Sequence, residues 1–103
     1  MTEYAAIRDP NRCPTHPGEL LREDIIPAVG KSKTEIARLL GISRQQLYDI
    51  LDERRPLTPA MAVRISKMFG GSAESWVRMQ AAHDTWHAER EVDVSHIPTL
   101  HAA

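Results

Sequence analysis

Two helix-start signals eleven residues apart, with a glycine between them, restrict this chain more than any other feature. Ser32-Lys33-Thr34-Glu35 and Ser43-Arg44-Gln45-Gln46 each offer a hydroxyl that can accept from a free backbone N–H. Each also has a Glu or Gln three residues on that can reach back, which makes a capping box. Gly41, in Leu40-Gly41-Ile42, is free to take the left-handed conformation that stops a helix. The interval leaves room for about two turns of helix, a tight corner and a second helix. Ile36 and Leu40 define the buried face of the first helix, with small Ala37 where the two helices would cross. Leu47, Ile50 and Leu51 define that of the second, and Ile42 lies in the corner. A plain helical hairpin that only packs a core has the same spacing.

Charge separates these readings. The chain has 103 residues and a net charge of −1, which argues against a generally sticky nucleic-acid binder. Residues 31–67 nevertheless carry eight cations against four anions, while residues 1–30 sum to −2 and residues 68–103 to −3. A basic segment between acidic ends is a local footprint for phosphate. The 42% hydrophobic content is ordinary and supports one small domain. No apolar run approaches a membrane span and no signal peptide is evident, so a cytoplasmic location with no membrane partner is expected. The single Cys13 excludes an internal disulfide, and with no partnered base near it in sequence it reads as an inert thiol.

The flanks extend the helical pattern. Residues 1–15 hold two prolines and little periodicity, and read as an arm that is ordered only if it packs on something. His16-Pro17-Gly18-Glu19 opens a helix in which Leu20, Leu21, Ile25 and Ile26 face inward and Arg22, Glu23 and Asp24 face water. Pro27 is expected to end it near Ile26. Beyond the central pair, Pro56 breaks the chain and Thr58-Pro59 starts a helix that buries Met61, Ala62, Ile65 and Phe69, closed by Gly70-Gly71. Ser72 caps a last helix over about residues 73–91, along which Trp76, Met79, Ala82 or His83, and Trp86 form a seam. The expected division is an arm (1–15), a helical domain (16–91) and a tail (92–103).

The positions Ile36, Ala37, Leu40, Gly41, Ile42, Leu47 and Ile50 together resemble the helix-turn-helix of the lambda-repressor/Cro-like (XRE) family. The longer run HPGELLREDIIPAVGKSKTEIARLLGISRQQLYDIL resembles its HigA-type (VapI-like) antitoxins, from about Cys13 to Met79. The His-Pro-Gly-Glu opening carries that narrower likeness. The resemblance implies an all-α, five-helix lambda-repressor-like DNA-binding domain. It also implies an antitoxin and repressor that binds its own palindromic operator as a homodimer and neutralises a HigB/RelE-like mRNA endonuclease. A stand-alone regulator of the same family, without a toxin, is not separated from this by the residues themselves.

In such a motif the second helix enters the major groove, N-terminal residues first. Ser43, Arg44, Gln45 and Gln46, with Tyr48 one turn on, are the expected base readers, and Arg44 to guanine and Gln45 to adenine have the right donor geometry. Lys33 and Thr34 are expected at phosphates, with Arg38 and the loop pair Arg54-Arg55 either joining them or simply solvated. Trp86, Val92, Val94 and Ile97 are surplus to so small a core, and are expected at a homodimer contact, a toxin contact or both. Trp86 folding back on the N-terminal arm is the alternative.

An enzyme is not expected. No phosphate-binding glycine loop, nucleophile triad or carboxylate pair is present. His83 and His87 have the i, i+4 spacing of a zinc pair, but Asp84 follows where a zinc protease has Glu. Cys13, His16, His96 and His101 are distant donors that nothing in the sequence positions, so neither metal nor cofactor is expected.

Overall fold

The computed structural model describes residues 11–102. Both serine caps form, but not in the same way. Ser43 makes the full box: its Oγ accepts from the Gln46 N–H at 3.0 Å, and Gln46 Oε1 accepts from the Ser43 N–H at 2.9 Å. Ser32 makes half of one, accepting from the Glu35 N–H at 3.1 Å. The Glu35 carboxylate turns instead to Arg38, whose Nε donates to it at 3.0 Å. An opposite charge one turn away outcompetes a neutral N–H that water can satisfy.

Five helices follow in order, with no strand among the described residues. Helix α1 comprises Pro17–Leu20, a π turn at Leu21–Ile25, and Ile26–Val29. The others are α2 (Lys33–Leu40), α3 (Arg44–Leu51), α4 (Pro59–Phe69) and α5 (Ala73–Glu91). Pro27 does not end α1 near Ile26 as its sequence position implies. The π turn pairs the Ile26 N–H with the Leu21 carbonyl, and Pro27 then occupies the start of a fresh α segment, where its missing N–H costs nothing. Gly30, at φ +76°, closes the helix.

Gly41, also at φ +76°, makes the corner between α2 and α3. The Ile42 N–H donates to the Ala37 carbonyl and the Gly41 N–H to the Arg38 carbonyl, both at 3.1 Å, which is a Schellman closure. Arg64 of α4 donates to the next free carbonyl, Leu40 O, at 2.6 Å. A Cβ on residue 41 would lie 2.9 Å from that guanidinium, a flexible tip that can shift, so it is the left-handed backbone that favours glycine there.

The core draws on every helix. Leu21, Ile36, Leu47, Ile50, Leu51 and Ile65 are fully buried, joined by Ala37, Leu40, Ala62 and Trp76. Each of the large side chains contributes roughly 1.5–3 kcal/mol by leaving water. Met61, Phe69, Ile42 and Met79 pack on this cluster from its margin, half-exposed.

The His-Pro-Gly-Glu opening is a packing device. His16 caps α1 through its ring: Nδ1 accepts from the Gly18 N–H at 2.8 Å. The ring is only 3% exposed, and burial, together with neighbouring His83, holds its pKa below that of an ordinary imidazole. A neutral ring is what that acceptor role requires. Gly18 lies so close to α3 that a Cβ would sit 1.9 Å from the Ile50 carbonyl oxygen. Arg22 does not face water as its sequence position suggests. It is half-buried, donates to the Leu51 carbonyl at the end of α3, and pairs with Glu53 at 3.4 Å. Glu53 itself holds φ +61° just past that helix end.

Gln80 is a second buried polar tie. Its Oε1 accepts from the Leu57 N–H at 2.8 Å, and its Nε2 donates to Asp84 at 2.9 Å, fixing the loop before α4 onto α5. Among the described residues, no buried side-chain nitrogen or oxygen lacks a partner.

Candidate nucleic-acid interface

The outer face of α3 begins with Arg44 and Gln45, both exposed, followed by Tyr48 at 38% exposure. Leu47, Ile50 and Leu51 alternate with them and are buried, so the helix has one reading face and one packing face. Arg44 makes no hydrogen bond or ion pair among the described residues and leaves its five donors to solvent. Gln45 is oriented rather than loose: its Nε2 donates to Asp49 Oδ1 at 2.7 Å, one turn along.

Ser43 and Gln46, expected as base readers, are engaged in the reciprocal cap. The Ser43 hydroxyl and the Gln46 carbonyl hold the start of α3, while the Arg44, Gln45 and Tyr48 side chains of this face take no part in the cap. The cap uses only acceptor atoms, so the Ser43 O–H and the Gln46 amide N–H groups keep their donors.

The start of α2 lies beside this face. Lys33 Nζ is 5.6 Å from the Tyr48 ring centroid, a cation–π approach that brings the first motif helix to the recognition helix. Lys33, Thr34 and Tyr48 line a shallow groove with Arg22, Gly30 and Lys31. The exposed N-terminus of α2 adds free backbone N–H groups, the arrangement that holds phosphate. Arg38 stands apart from it. Its guanidinium is bound by Glu35, which raises its pKa and lowers that of the carboxylate, and both groups are solvent-facing. Arg38 is thus an intrahelical partner of Glu35, and with 67% of its side chain exposed it keeps donors for an anion.

Arg54 and Arg55 converge on the recognition helix in a way their position in a loop does not announce. Their backbone N–H groups both donate to the Asp49 carbonyl, at 2.8 and 3.2 Å. Their guanidiniums reach the Asp49 carboxylate at 3.8 and 3.6 Å, and Arg54 also pairs with Asp52 at 2.8 Å. Asp49 thus gathers Gln45, Arg54 and Arg55 around one carboxylate. More than half of each arginine side chain remains exposed, so both keep donors for an anion.

At the other end of the chain, Trp86 is half-buried, with the Arg90 guanidinium 3.7 Å from its ring centroid and the His87 ring edge-on at 5.2 Å. The alternative raised by the sequence, Trp86 folding back on the N-terminal arm (1–15), falls for residues 1–10 outside the described residues. Val92, Val94 and Ile97 are each 58% exposed and Leu100 87%. The arm also has a partner. Cys13 Sγ lies 3.5 Å from both His83 Nδ1 and His87 Nε2, and His83 Nδ1 meets the Pro14 carbonyl at 2.9 Å. The expectation that Cys13 has no base nearby, and that the two histidines have no positioned third donor, is corrected by this contact. Its residues are 70 or more apart in sequence, beyond any local spacing rule.

A helix-turn-helix inside an all-α unit, with polar side chains on the outward face of its second helix and cations around them, defines a DNA-binding regulator. No helix among the described residues is long and apolar enough to cross a membrane. The chain belongs to the helix-turn-helix family, whose model, described as "Helix-turn-helix", matches residues 21–76. Within it the chain is similar to HigA-type and VapI-like proteins. It is 40% identical to virulence-associated protein I of Dichelobacter nodosus over 76 residues, 74% of this chain and 70% of that protein. It is similar to the antitoxin GraA, solved in complex with its operator, at 31% identity and a TM-score of 0.80, covering 94% of this chain and 99% of that one. The antitoxin HigA of Pseudomonas aeruginosa, solved with the higBA promoter, matches at 31% identity and a TM-score of 0.69, covering 78% of this chain and 96% of that one. The fold is the lambda-repressor-like one of these antitoxins, and the family is regulatory, not enzymatic.

Proposed function

We propose that this chain is an antitoxin-type repressor that binds the palindromic operator of its own operon as a homodimer and neutralises a HigB/RelE-like mRNA endonuclease. One observation supports it above the others: Arg44, which has no partner among the described residues, stands at the exposed start of a capped helix whose opposite face is buried. Relatives of the same fold were solved on operator and promoter DNA. In this reading Arg44 forks to guanine O6 and N7. Gln45 pairs with adenine once its amide turns from Asp49, and Tyr48 meets a thymine methyl or a phosphate. Lys33 and Thr34 hold the phosphate backbone, with Arg54 and Arg55 clamping it from the loop beyond α3.

One such helix covers few base pairs, and two-fold dimers of this class read half-sites about 34 Å apart. The exposed Val92, Val94, Ile97 and Leu100 of the tail supply apolar surface for the second copy. The toxin assignment rests on the likeness to antitoxins, and the chemistry expected of that partner is a basic ribonuclease encoded next to this gene.

The test is a fluorescence-anisotropy titration of DNA from the chain's own promoter with the wild type and Arg44→Ala. A lost guanine fork of about 2 kcal/mol, taken once per half-site, weakens operator binding roughly a thousandfold while the melting temperature is unchanged. Equal affinity of the two proteins would remove Arg44 from the interface and the reading with it.

A further inference from the structure

Cys13, His83 and His87 point to a function that the DNA-binding face does not use. Their three candidate ligand atoms all lie within 4.8 Å of one another. The sulfur is the hub, 3.5 Å from a ring nitrogen of each histidine. Tetrahedral zinc, with bonds of about 2.3 Å to sulfur and 2.0–2.1 Å to nitrogen, sets its sulfur and nitrogen ligands about 3.5 Å apart. Hydrogen-bonded thiols show similar distances, so the spacing alone does not decide. Three further features do.

The first is the donor set. A thiolate and two imidazoles form the borderline-soft combination that suits Zn(II) and its spectroscopic stand-in Co(II). The second is rigidity. His83 and His87 project one turn apart from α5, and their rings meet edge-on at 4.7 Å, so two of the three donors are set by a helix before any metal arrives. The third is an outer shell. Glu91 Oε2 lies 3.6 Å from His87 Nδ1, on the far side of that ring from the sulfur. A carboxylate there favours the proton on Nδ1 and leaves Nε2 as the ligand atom, the usual support of a metal-bound histidine. All three side chains are half-buried, reachable by an ion yet shielded from bulk water.

We propose that Cys13, His83 and His87 form a zinc-class metal site with three protein ligands and one open position. Binding releases the Cys13 thiol proton to solvent. It also moves the His83 N–H from Nδ1, where it meets the Pro14 carbonyl, to Nε2, so both imidazoles stay neutral. The site joins the arm before α1 to the last three turns of α5, across 70 and 74 residues of sequence. Occupancy therefore fastens the two ends of the domain together and stabilises the folded chain by an amount that grows with the logarithm of metal activity above the dissociation constant.

The full chain, reduced and stripped of metal, is titrated with Zn(II) in equilibrium dialysis and with Co(II) in absorbance. We expect one metal per chain and a thiolate-to-cobalt charge-transfer band in the near ultraviolet, with tetrahedral d–d bands. Cys13→Ser abolishes the charge-transfer band. Both Cys13→Ser and His87→Gln weaken Zn(II) by more than the roughly 10–100-fold that an outer-shell partner is worth, and Glu91→Gln weakens it by about 10-fold. Zinc also raises the melting temperature of the wild type but not of His87→Gln. Failure of the wild type to retain one zinc, or a cobalt complex lacking the charge-transfer band, overturns the proposal. So does zinc affinity in His87→Gln equal to that of the wild type. None of these readouts depends on operator DNA, so the site and the DNA-binding reading stand or fall separately.

Discussion

Gly18→Ala separates two physical accounts of the His-Pro-Gly-Glu opening by the sign of its effect. In a helix free of other contacts, alanine in place of glycine stabilises by roughly 0.5–1 kcal/mol. Gly18 is not free. A methyl carbon built on it lies 1.9 Å from the Ile50 carbonyl oxygen, and 3.1 Å from His16 Nδ1. The obstacle is backbone of α3, which cannot swing aside as a side chain tip can. Relief requires α1 and α3 to part by more than about 1 Å, which loosens buried His16, Pro17 and Leu21 in a close-packed interior. Overpacking of this kind costs about 1–3 kcal/mol, and the backbone obstacle argues for the upper end. Net of the helix term, destabilisation is about 2 kcal/mol. For a domain of this size that lowers the melting temperature by roughly 8–16 °C. Thermal and urea unfolding followed by far-ultraviolet circular dichroism measure it. Gly30→Ala is the companion. Its φ is +76° with nothing within 4 Å of the added carbon, so it reports left-handed strain alone, about 1–2 kcal/mol. A Gly18→Ala protein that melts at or above the wild type refutes the close approach and the role assigned to this opening.

Three further outcomes follow from the same geometry. Gln80→Leu strands the buried Leu57 N–H and removes the donor to Asp84, lowering stability by about 1–3 kcal/mol in urea unfolding; an unchanged midpoint would mean the loop finds another acceptor. Lys33→Ala weakens binding to all DNA sequences alike and reduces the slope of log K against log salt by about 1, because it removes one phosphate contact; a change confined to one base position would make Lys33 a base reader instead. Deleting residues 92–103 leaves α5 intact but removes the exposed Val92, Val94 and Ile97, and should convert a dimer to a monomer in sedimentation equilibrium. A truncated chain that stays dimeric places the interface elsewhere.

Much of the fold is legible in the sequence because the signals are local. Caps at Ser32, Ser43, Thr58 and Ser72, and the glycine stop at 41, act within four residues of themselves and locate four of the five helices. Pro27 misled because a rule about one residue does not see a π turn just before it, which resets the hydrogen-bond register. The long-range polar ties were not legible at all. Arg64 on Leu40 O, Arg22 on Leu51 O and Gln80 on the Leu57 N–H span 23–29 residues, and each appears in sequence only as a surface-type side chain on a helix. The cation count of the central segment does not show which of its cations have protein partners. Arg64 donates to the Leu40 carbonyl, and Arg38, Arg54 and Arg55 pair with carboxylates at the surface while more than half of each of those three side chains stays exposed.

The pose of α3 is set by contacts to its backbone as well as by its buried Leu47, Ile50 and Leu51. Gly18 abuts the Ile50 carbonyl, Arg22 donates to the Leu51 carbonyl, and the Arg54 and Arg55 N–H groups both close on the Asp49 carbonyl. Three consecutive carbonyls at the C-terminal end of the recognition helix are thus fixed from outside it, while the capping box fixes the other end. Side chains on the reading face can then be exchanged without moving the helix that carries them, and operator choice can change while the fold stays. The same geometry limits what the His-Pro-Gly-Glu opening says about partners. His16, Pro17 and Gly18 are buried by the packing they create, and only Glu19 of the four is exposed. A toxin that reads this corner reads Glu19. The other three residues act on any partner only through the position they give to α3.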